Sequence, residues 1–370
     1  MRGAPLAVNA LPASAPLANA AGNVRAYAGG GSIVRRPYLT QPTLDVVAIG
    51  NAIVDILAQS DDAFLASQGM TKGSMQLVFS PADADALYAK MGPGREVSGG
   101  SAANTVAGIA ALGGKTGFIG QVADDQLGAV FAHDIRAAGV RFDTAARAGE
   151  PTTARCLIFV TPDGQRTMNT FLGASQFLPE AALDADLIAS GAILYLEGYL
   201  WDPEEPRAAM RAGIRIARDA GRKVAFTLSD TFCISRHGDD FRALIAEGQV
   251  DILFANESEL LALAQVEDFD LAVDQVSAQV PVLVVTRGEQ GAIAVTGGER
   301  TSVPAQPIER VVDTTGAGDL FAAGFLHGQS HGYDIERSLK LGALCAAEII
   351  SHYGARPEVD LTKLMVEKLG

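Results

Sequence analysis

The segment Val311-Val-Asp-Thr-Thr-Gly-Ala-Gly-Asp-Leu-Phe-Ala-Ala-Gly-Phe325 sets small residues and one carboxylate at the head of an apolar run. Gly316, Ala317 and Gly318 leave the backbone uncovered, so several N–H groups can face a single anion. A helix beginning there adds positive potential. Asp319 falls in the first helical turn beside that anion hole, where a carboxylate can take a proton from an attacking hydroxyl. The same residue also reads as an ordinary acid favouring a helix start.

Four further segments carry groups suited to the same chemistry. In Ser98-Gly-Gly-Ser-Ala-Ala-Asn104, Gly99 and Gly100 allow close backbone approach to a ligand, and Asn104 can bind its hydroxyls. A tightly packed Ala-rich helix with a polar first turn fits these residues as well. Asp55, after the first apolar run, can accept hydrogen bonds from hydroxyls or stand as a loop acid. Asn256-Glu-Ser-Glu259 can order water around Mg²⁺, which keeps most of its waters and needs few protein oxygens. It equally matches a helix-capping pair. Thr286-Arg-Gly-Glu-Gln-Gly291 can set backbone and hydroxyl groups against phosphates or a ribose, or simply turn. His327 and His331 lie four apart without an HExxH pattern, which argues against zinc. There is no GxxxxGK[ST] loop and no HRD/DFG set.

These groups need elements to hold them. Leu44–Gly50 is a short apolar run ending in Gly, and Thr116–Ile119, Ala192–Leu196, Lys223–Thr227, Ile252–Phe254 and Val282–Thr286 resemble it. Helical stretches lie between them at Ala102–Leu112, Gln126–Ala138, Glu205–Ala220 and Phe241–Glu247. Alternation of this kind predicts an α/β fold with a parallel sheet covered on both faces. Gly73–Phe79 and Thr153–Leu172 break the pattern. In the second, Pro162-Asp-Gly164 separates two β-prone runs, a hairpin signal, and a small sheet there can serve as a lid.

The 370 residues carry a net charge of −14. Residues 1–44 contain Arg2, Arg25, Arg35 and Arg36 and no acid, so the remainder carries −18. An acidic body is a poor match for nucleic acid, and no apolar run approaches a membrane span. Cys156, Cys233 and Cys345 are far apart, which excludes a disulfide framework and points to a reducing cytoplasm. Residues 1–44 read as a disordered or processed extension, with organellar import as the alternative.

Taken in order, the motifs resemble those of the PfkB/ribokinase family over roughly Asp45–Pro357. Gly99-Gly100 with Asn104, continuing through Gly120–Gly128, is similar to its first signature, and Asp313–Asp319 to its second. Asn256-x-x-Glu259 and Thr286-x-Gly288-x-x-Gly291 are similar to two more. The resemblance implies a ribokinase-like three-layer α/β/α sandwich over 45–365, with lid strands near 73–79 and 153–172. It implies an ATP-dependent kinase with Asp319 as general base and Gly316, Ala317 and Gly318 as anion hole. Asp55, Gly99, Gly100, Asn104, Glu197, Tyr199 and Phe171 would meet the acceptor. Asn256, Thr286, Gly288, Gly291 and Gly342 would meet ATP, Asn256 and Glu259 would organise Mg²⁺, and a monovalent cation would sit near Asp313. Thr227–Phe232 and Leu341–Ile350 are most like the adenosine-kinase branch, whereas Glu197 is more reminiscent of sugar kinases. The expectation is therefore a nucleoside acceptor, with a sugar or sugar acid as the rival, in a monomer or homodimer.

Overall fold

The computed structural model describes residues 41–370, so the extension expected over residues 1–44 falls, but for its last four residues, outside the described residues. Among the described residues, fourteen strands build the sheets. In chain order the first seven are β1 (Leu44–Ile49), β2 (Ile53–Gln59), β3 (Met75–Leu77), β4 (Gly94–Gly99), β5 (Thr116–Ile119), β6 (Val140–Phe142) and β7 (Ala154–Val160). The others are β8 (Arg166–Phe171), β9 (Gly191–Glu197), β10 (Lys223–Thr227), β11 (Ile252–Asn256), β12 (Val282–Thr286), β13 (Ala292–Thr296) and β14 (Glu299–Val303).

Nine strands form one sheet in the order β14-β13-β12-β11-β10-β9-β1-β5-β6. Pairing is parallel from β12 through to β6, and β13 and β14 turn back antiparallel at one edge. The apolar runs are continuous because both faces are covered. Successive side chains of one strand therefore enter opposite cores. Val46, Ala48, Ile193, Tyr195 and Val284 join one core with the Ser101–Ala111, Ala317–Ser330 and Ile335–Ile349 helices. Val47, Ile49, Leu194, Leu196 and Leu283 join the other with the Glu204–Asp219, Thr231–Ala246 and Glu257–Ala264 helices. The result is the expected three-layer sandwich.

A second sheet of five strands, in the order β3-β8-β7-β2-β4, forms the lid. The hairpin of β7 and β8 lies where the Pro162-Asp-Gly164 turn placed it, and β3 falls within 73–79. Two lid strands were not anticipated. Strand β2 follows β1 after only three residues yet leaves the main sheet and pairs with β4 and β7. Hydrophobic period gives a strand but not which sheet it joins. Two helices also differ from expectation. The one read at Phe241–Glu247 begins at Thr231, where the Asp230 carboxylate accepts the Cys233 N–H at 2.6 Å and caps it. The chain then closes with a Leu361–Leu369 helix that runs past the expected boundary at 365 and buries Leu361.

The second core centres on Trp201, the chain's single tryptophan. It is fully buried, with ring centroids 6.0 Å from Phe226 and 5.7 Å from Phe241 in edge-on geometry. Its indole N–H donates to Asp240 Oδ2 at 2.9 Å. Such a side chain leaves a large cavity when truncated. Trp201→Ala is expected to cost about 3–5 kcal/mol, read as a lower urea midpoint by far-ultraviolet circular dichroism. A midpoint equal to wild type would show that this core does not hold the helical layer.

Candidate active site

A cleft of about 760 Å³ opens between the carboxyl ends of the parallel strands and the lid. Open α/β sheets bind ligands at that edge. Thr227 sits opposite Glu197 in register, and Thr286 opposite Asn256, at the ends of four adjacent strands, the two pairs offset by two residues. All four line the cleft.

The floor is built where two helix N-termini meet. The Ala317–Ser330 helix starts at Gly316, whose φ of 77° is left-handed and whose missing Cβ leaves room for Ala355. First-turn N–H groups have no intrahelical partner; here the Ala317 N–H donates to the Thr314 carbonyl at 3.2 Å, and Gly316, Ala317 and Gly318 all wall the cleft. The Ser101–Ala111 helix starts at Gly100, with φ of 100° and no side-chain cap; a Cβ there would run into the Asn51 carbonyl. Asp319 joins the two helices. Its carboxylate accepts from Ser101 Oγ at 2.6 Å and from Asn104 Nδ2 at 3.0 Å. Burial raises the Asp319 carboxyl above the usual aspartate range against the pull of these donors and of Arg356. Each oxygen keeps a further lone pair for an incoming hydroxyl.

Asp55 reaches the cleft from the lid strand β2 and lies against Gly99, with no hydrogen-bond donor assigned to it among the described residues. Its carboxyl is pushed up to about 6, chiefly by burial, with Arg166 and Arg356 opposing. Thus Asp55, Gly99, Gly100, Asn104, Gly316, Ala317, Gly318 and Asp319 do come together. Tyr199 stands at the mouth, 36% exposed, and Thr286 and Asn256 lie along the far side.

Other expected residues take different places. Glu197 is fully buried, and its carboxylate accepts from Asn51 N–H at 2.8 Å, Asn51 Nδ2 at 2.7 Å and Ala102 N–H at 2.7 Å. It caps the Ser101–Ala111 helix from a distance, Oε1 taking two protein donors and Oε2 one, at the floor of the cleft. Phe171 faces away, because Met168 and Thr170 of the same strand point into the cleft and the period is two. Its ring lies 5.8 Å from the Arg155 guanidinium, 4% exposed. Gly342 packs where the Ile335–Ile349 helix crosses Phe321, away from the cleft wall. Gly288 and Gly291 shape the turn after β12 at φ of 55° and 86°, and neither walls the cleft.

Asn256 and Glu259 form a reciprocal capping box. Glu259 N–H donates to Asn256 Oδ1 at 2.8 Å, and Asn256 N–H to Glu259 Oε2 at 3.0 Å. Both face the cleft, and burial lifts the Glu259 carboxyl to about 7. Among the described residues no three His, Cys, Asp or Glu side chains converge as a metal cage. That donor set suits a largely hydrated Mg²⁺ carried by phosphates, not a directly ligated ion. At Asp313, the carboxylate expected near a monovalent cation pairs with the Arg166 guanidinium of the lid and accepts from Gly354 N–H at 3.1 Å. The positive charge beside it comes from the protein itself.

Three residues at this floor were not singled out from sequence as site residues. Ser101 lay inside a recognised motif and has the signal of a hydroxyl beside two glycines. Asn51 stood next to Gly50 at the end of β1. Arg356 had no local signal, since its partner Asn104 is 252 residues away.

A helix-sandwiched sheet, a β lid and an acid beside a helix-start anion hole define a phosphotransferase of the ribokinase-like class. Residues 73–361 match the pfkB family of carbohydrate kinases, and the chain belongs to that family. Among solved structures, the adenosine kinase of Sinorhizobium meliloti is 49% identical with a TM-score of 0.82, covering 88% of this chain and 99% of its own. A probable sugar kinase of Rhizobium etli CFN 42 is 46% identical with a TM-score of 0.83, over 88% of this chain and 99% of its own. Fructokinase-1 of Oryza sativa subsp. japonica is 29% identical over 316 residues, 79% of this chain and 96% of its own. The protein is thus an ATP-dependent kinase of a nucleoside or a sugar.

A carboxylate that must be ionised to accept a hydroxyl works only above its own pKa. With Asp55 at about 6, the acceptor kcat/KM is expected to be full at neutral pH and to fall as the pH drops through about 6. Asp55→Asn is expected to lower acceptor kcat/KM by roughly tenfold to a hundredfold, the worth of a hydrogen bond to a charged group. It should also move the acid limb to lower pH. A pH–rate profile with its limb unmoved in this variant would remove Asp55 from acceptor binding.

Proposed function

We propose that the acceptor is a nucleoside, adenosine, phosphorylated on its 5′ hydroxyl to give AMP. The observation that carries this reading is the lid's inner face. Ile53, Met75, Leu77, Cys156, Ile158 and Met168 present an apolar wall to the cleft. Phe232, 69% exposed, stands at the rim. A purine ring buries apolar area against such a wall, whereas a free sugar would leave its hydroxyls unpaired there. The donors and acceptors a ribose needs are concentrated at the other end, at Asp55, Gly100 and Asn104. Glu197 is fully buried and already accepts three protein donors, which weighs against its serving a sugar's hydroxyls.

ATP supplies the phosphoryl group, approaching from the Asn256 and Thr286 side with Gly288 at its outer edge. Asp319 takes the proton of the acceptor hydroxyl as that oxygen attacks. The first-turn N–H groups from Gly316 to Gly318 stabilise the charge on the transferring phosphoryl oxygens. Asn256 and Glu259 would hold the water shell of Mg²⁺, whose charge would offset that of the phosphates, and the lid excludes bulk water. We place this activity in the cytoplasm, with the enzyme a monomer or homodimer.

Two measurements test the reading. With ATP and Mg²⁺, adenosine should be consumed with formation of AMP, while ribose, fructose and 2-keto-3-deoxygluconate leave ATP untouched. Turnover of any of these three in preference to adenosine overturns the nucleoside assignment. Asp319→Asn should lower kcat by about 10²–10⁴ with ATP binding retained, the usual effect of losing a general base. Turnover near wild type in that variant would exclude Asp319 as the base.

A further inference from the structure

Three consecutive residues of the segment after the Ile335–Ile349 helix touch three different parts of the catalytic floor. Gly354 N–H donates to Asp313 Oδ2 at 3.1 Å. Ala355 packs against Gly316 at the start of the anion hole. The Arg356 guanidinium reaches deepest. It donates to Asn104 Oδ1 at 2.8 Å, to Ser98 O at 2.8 Å and to Ser98 Oγ at 2.9 Å. It also reaches the Ala103 carbonyl at 3.4 Å.

An arginine only donates, so the oxygen of the Asn104 amide must face it and the NH₂ group must face the other way. The other way is Asp319 Oδ2, 3.0 Å off. Without the guanidinium, the amide is free to turn its oxygen toward the carboxylate, replacing a donor by a repelling acceptor. We propose that Arg356 is a positioning residue for phosphoryl transfer: it locks the Asn104 amide so that Asn104 donates to Asp319, and holds that carboxylate ionised and aimed into the cleft. The proposal rests on the reading of Asp319 as the base and adds the device that keeps it in register.

Other charges also face Asp319. Asp319 acts electrostatically on Asp55 of β2, on Glu197 at the end of β9 and on Tyr195 and Tyr199, and among the described residues Arg356 is the cation acting on Asp319. Removing it leaves acids and phenols around the base, so Asp319 becomes harder to ionise.

The experiment compares Arg356→Met and Arg356→Lys with wild type in full pH profiles of kcat, with saturating ATP and acceptor. Arg356→Met is expected to lower kcat by about 10², the scale of a misplaced reacting group. Its acid limb should rise by roughly 0.5–1 pH unit, as for a carboxylate losing a nearby cation, while KM for ATP stays within about twofold by the same positional argument. Arg356→Lys keeps the charge without the fork, and should restore most of the limb position but only part of kcat. The rise must persist in an Asp55→Asn background; a rise that vanishes there belongs to Asp55 and overturns the proposal. So does an Arg356→Met enzyme with a wild-type profile, or one that loses kcat with its limb unmoved, since that marks only structural damage. If the methionine variant does not fold, the lysine variant decides: wild-type kcat in it would show that the forked contact to Asn104 is dispensable. An active Asp319→Asn enzyme would remove the base assignment instead. Unchanged Arg356 variants beside an inactive Asp319→Asn remove only the present inference.

Discussion

The N-terminus of a buried helix presents N–H groups that must find acceptors, and here two such helices point into one cleft. Asp319 lies between them. It sits in the first turn of one helix and takes hydrogen bonds from Ser101 and Asn104 of the other. The contact is close because Gly108, further along the Ser101–Ala111 helix, lets Leu320 and Ala323 pack directly against it. A bulkier residue at that crossing would push the two N-termini apart and separate Asp319 from its donors. Keeping Asp319, the Gly316–Gly318 helix start, Ser101 and Asn104 in register therefore depends on this helix pair.

The surrounding buried charges can be understood as supports for that junction. Glu197 takes the N–H of Ala102 and both donors of Asn51, which ties the end of β1 to the start of the acceptor-side helix. Burial lifts its carboxyl to about 7, a measure of how enclosed it is. Asp313 receives Arg166 from the lid and the Gly354 N–H from the C-terminal segment, so lid, anion-hole loop and C-terminal segment meet at one carboxylate. Buried groups of this kind stabilise modestly but are costly to unpair, which makes them suited to holding one arrangement of the floor.

The cleft divides into a polar end and an apolar end. The main sheet supplies backbone, threonines and the capping box on the phosphate side. The lid supplies Asp55 at the catalytic end and aliphatic side chains further out. This division follows from strand period. One face of the lid sheet turns Ile53, Cys156, Ile158 and Met168 toward the cleft, while the alternate residues Val54, Leu157 and Phe159 are buried in the main core.

The sequence by itself determined six strands of the main sheet to within a residue or two, though not β6, β13 or β14, and the helix start at Gly316 with Asp319 in its first turn. Each of these is local: apolar runs, turn residues, and small residues ahead of a carboxylate. It also offered Asn256 and Glu259 as a helix-capping pair, and the reciprocal box is present. Tertiary structure decided what period and propensity do not encode. Strand β2 left the first sheet for the lid, Phe171 turned from the cleft, and Glu197 became a distant helix cap. Arg356 joined Asn104 across 252 residues. Those outcomes depend on which elements pack together, and a carboxylate or guanidinium acquires its task only from the donors and acceptors that packing brings to it.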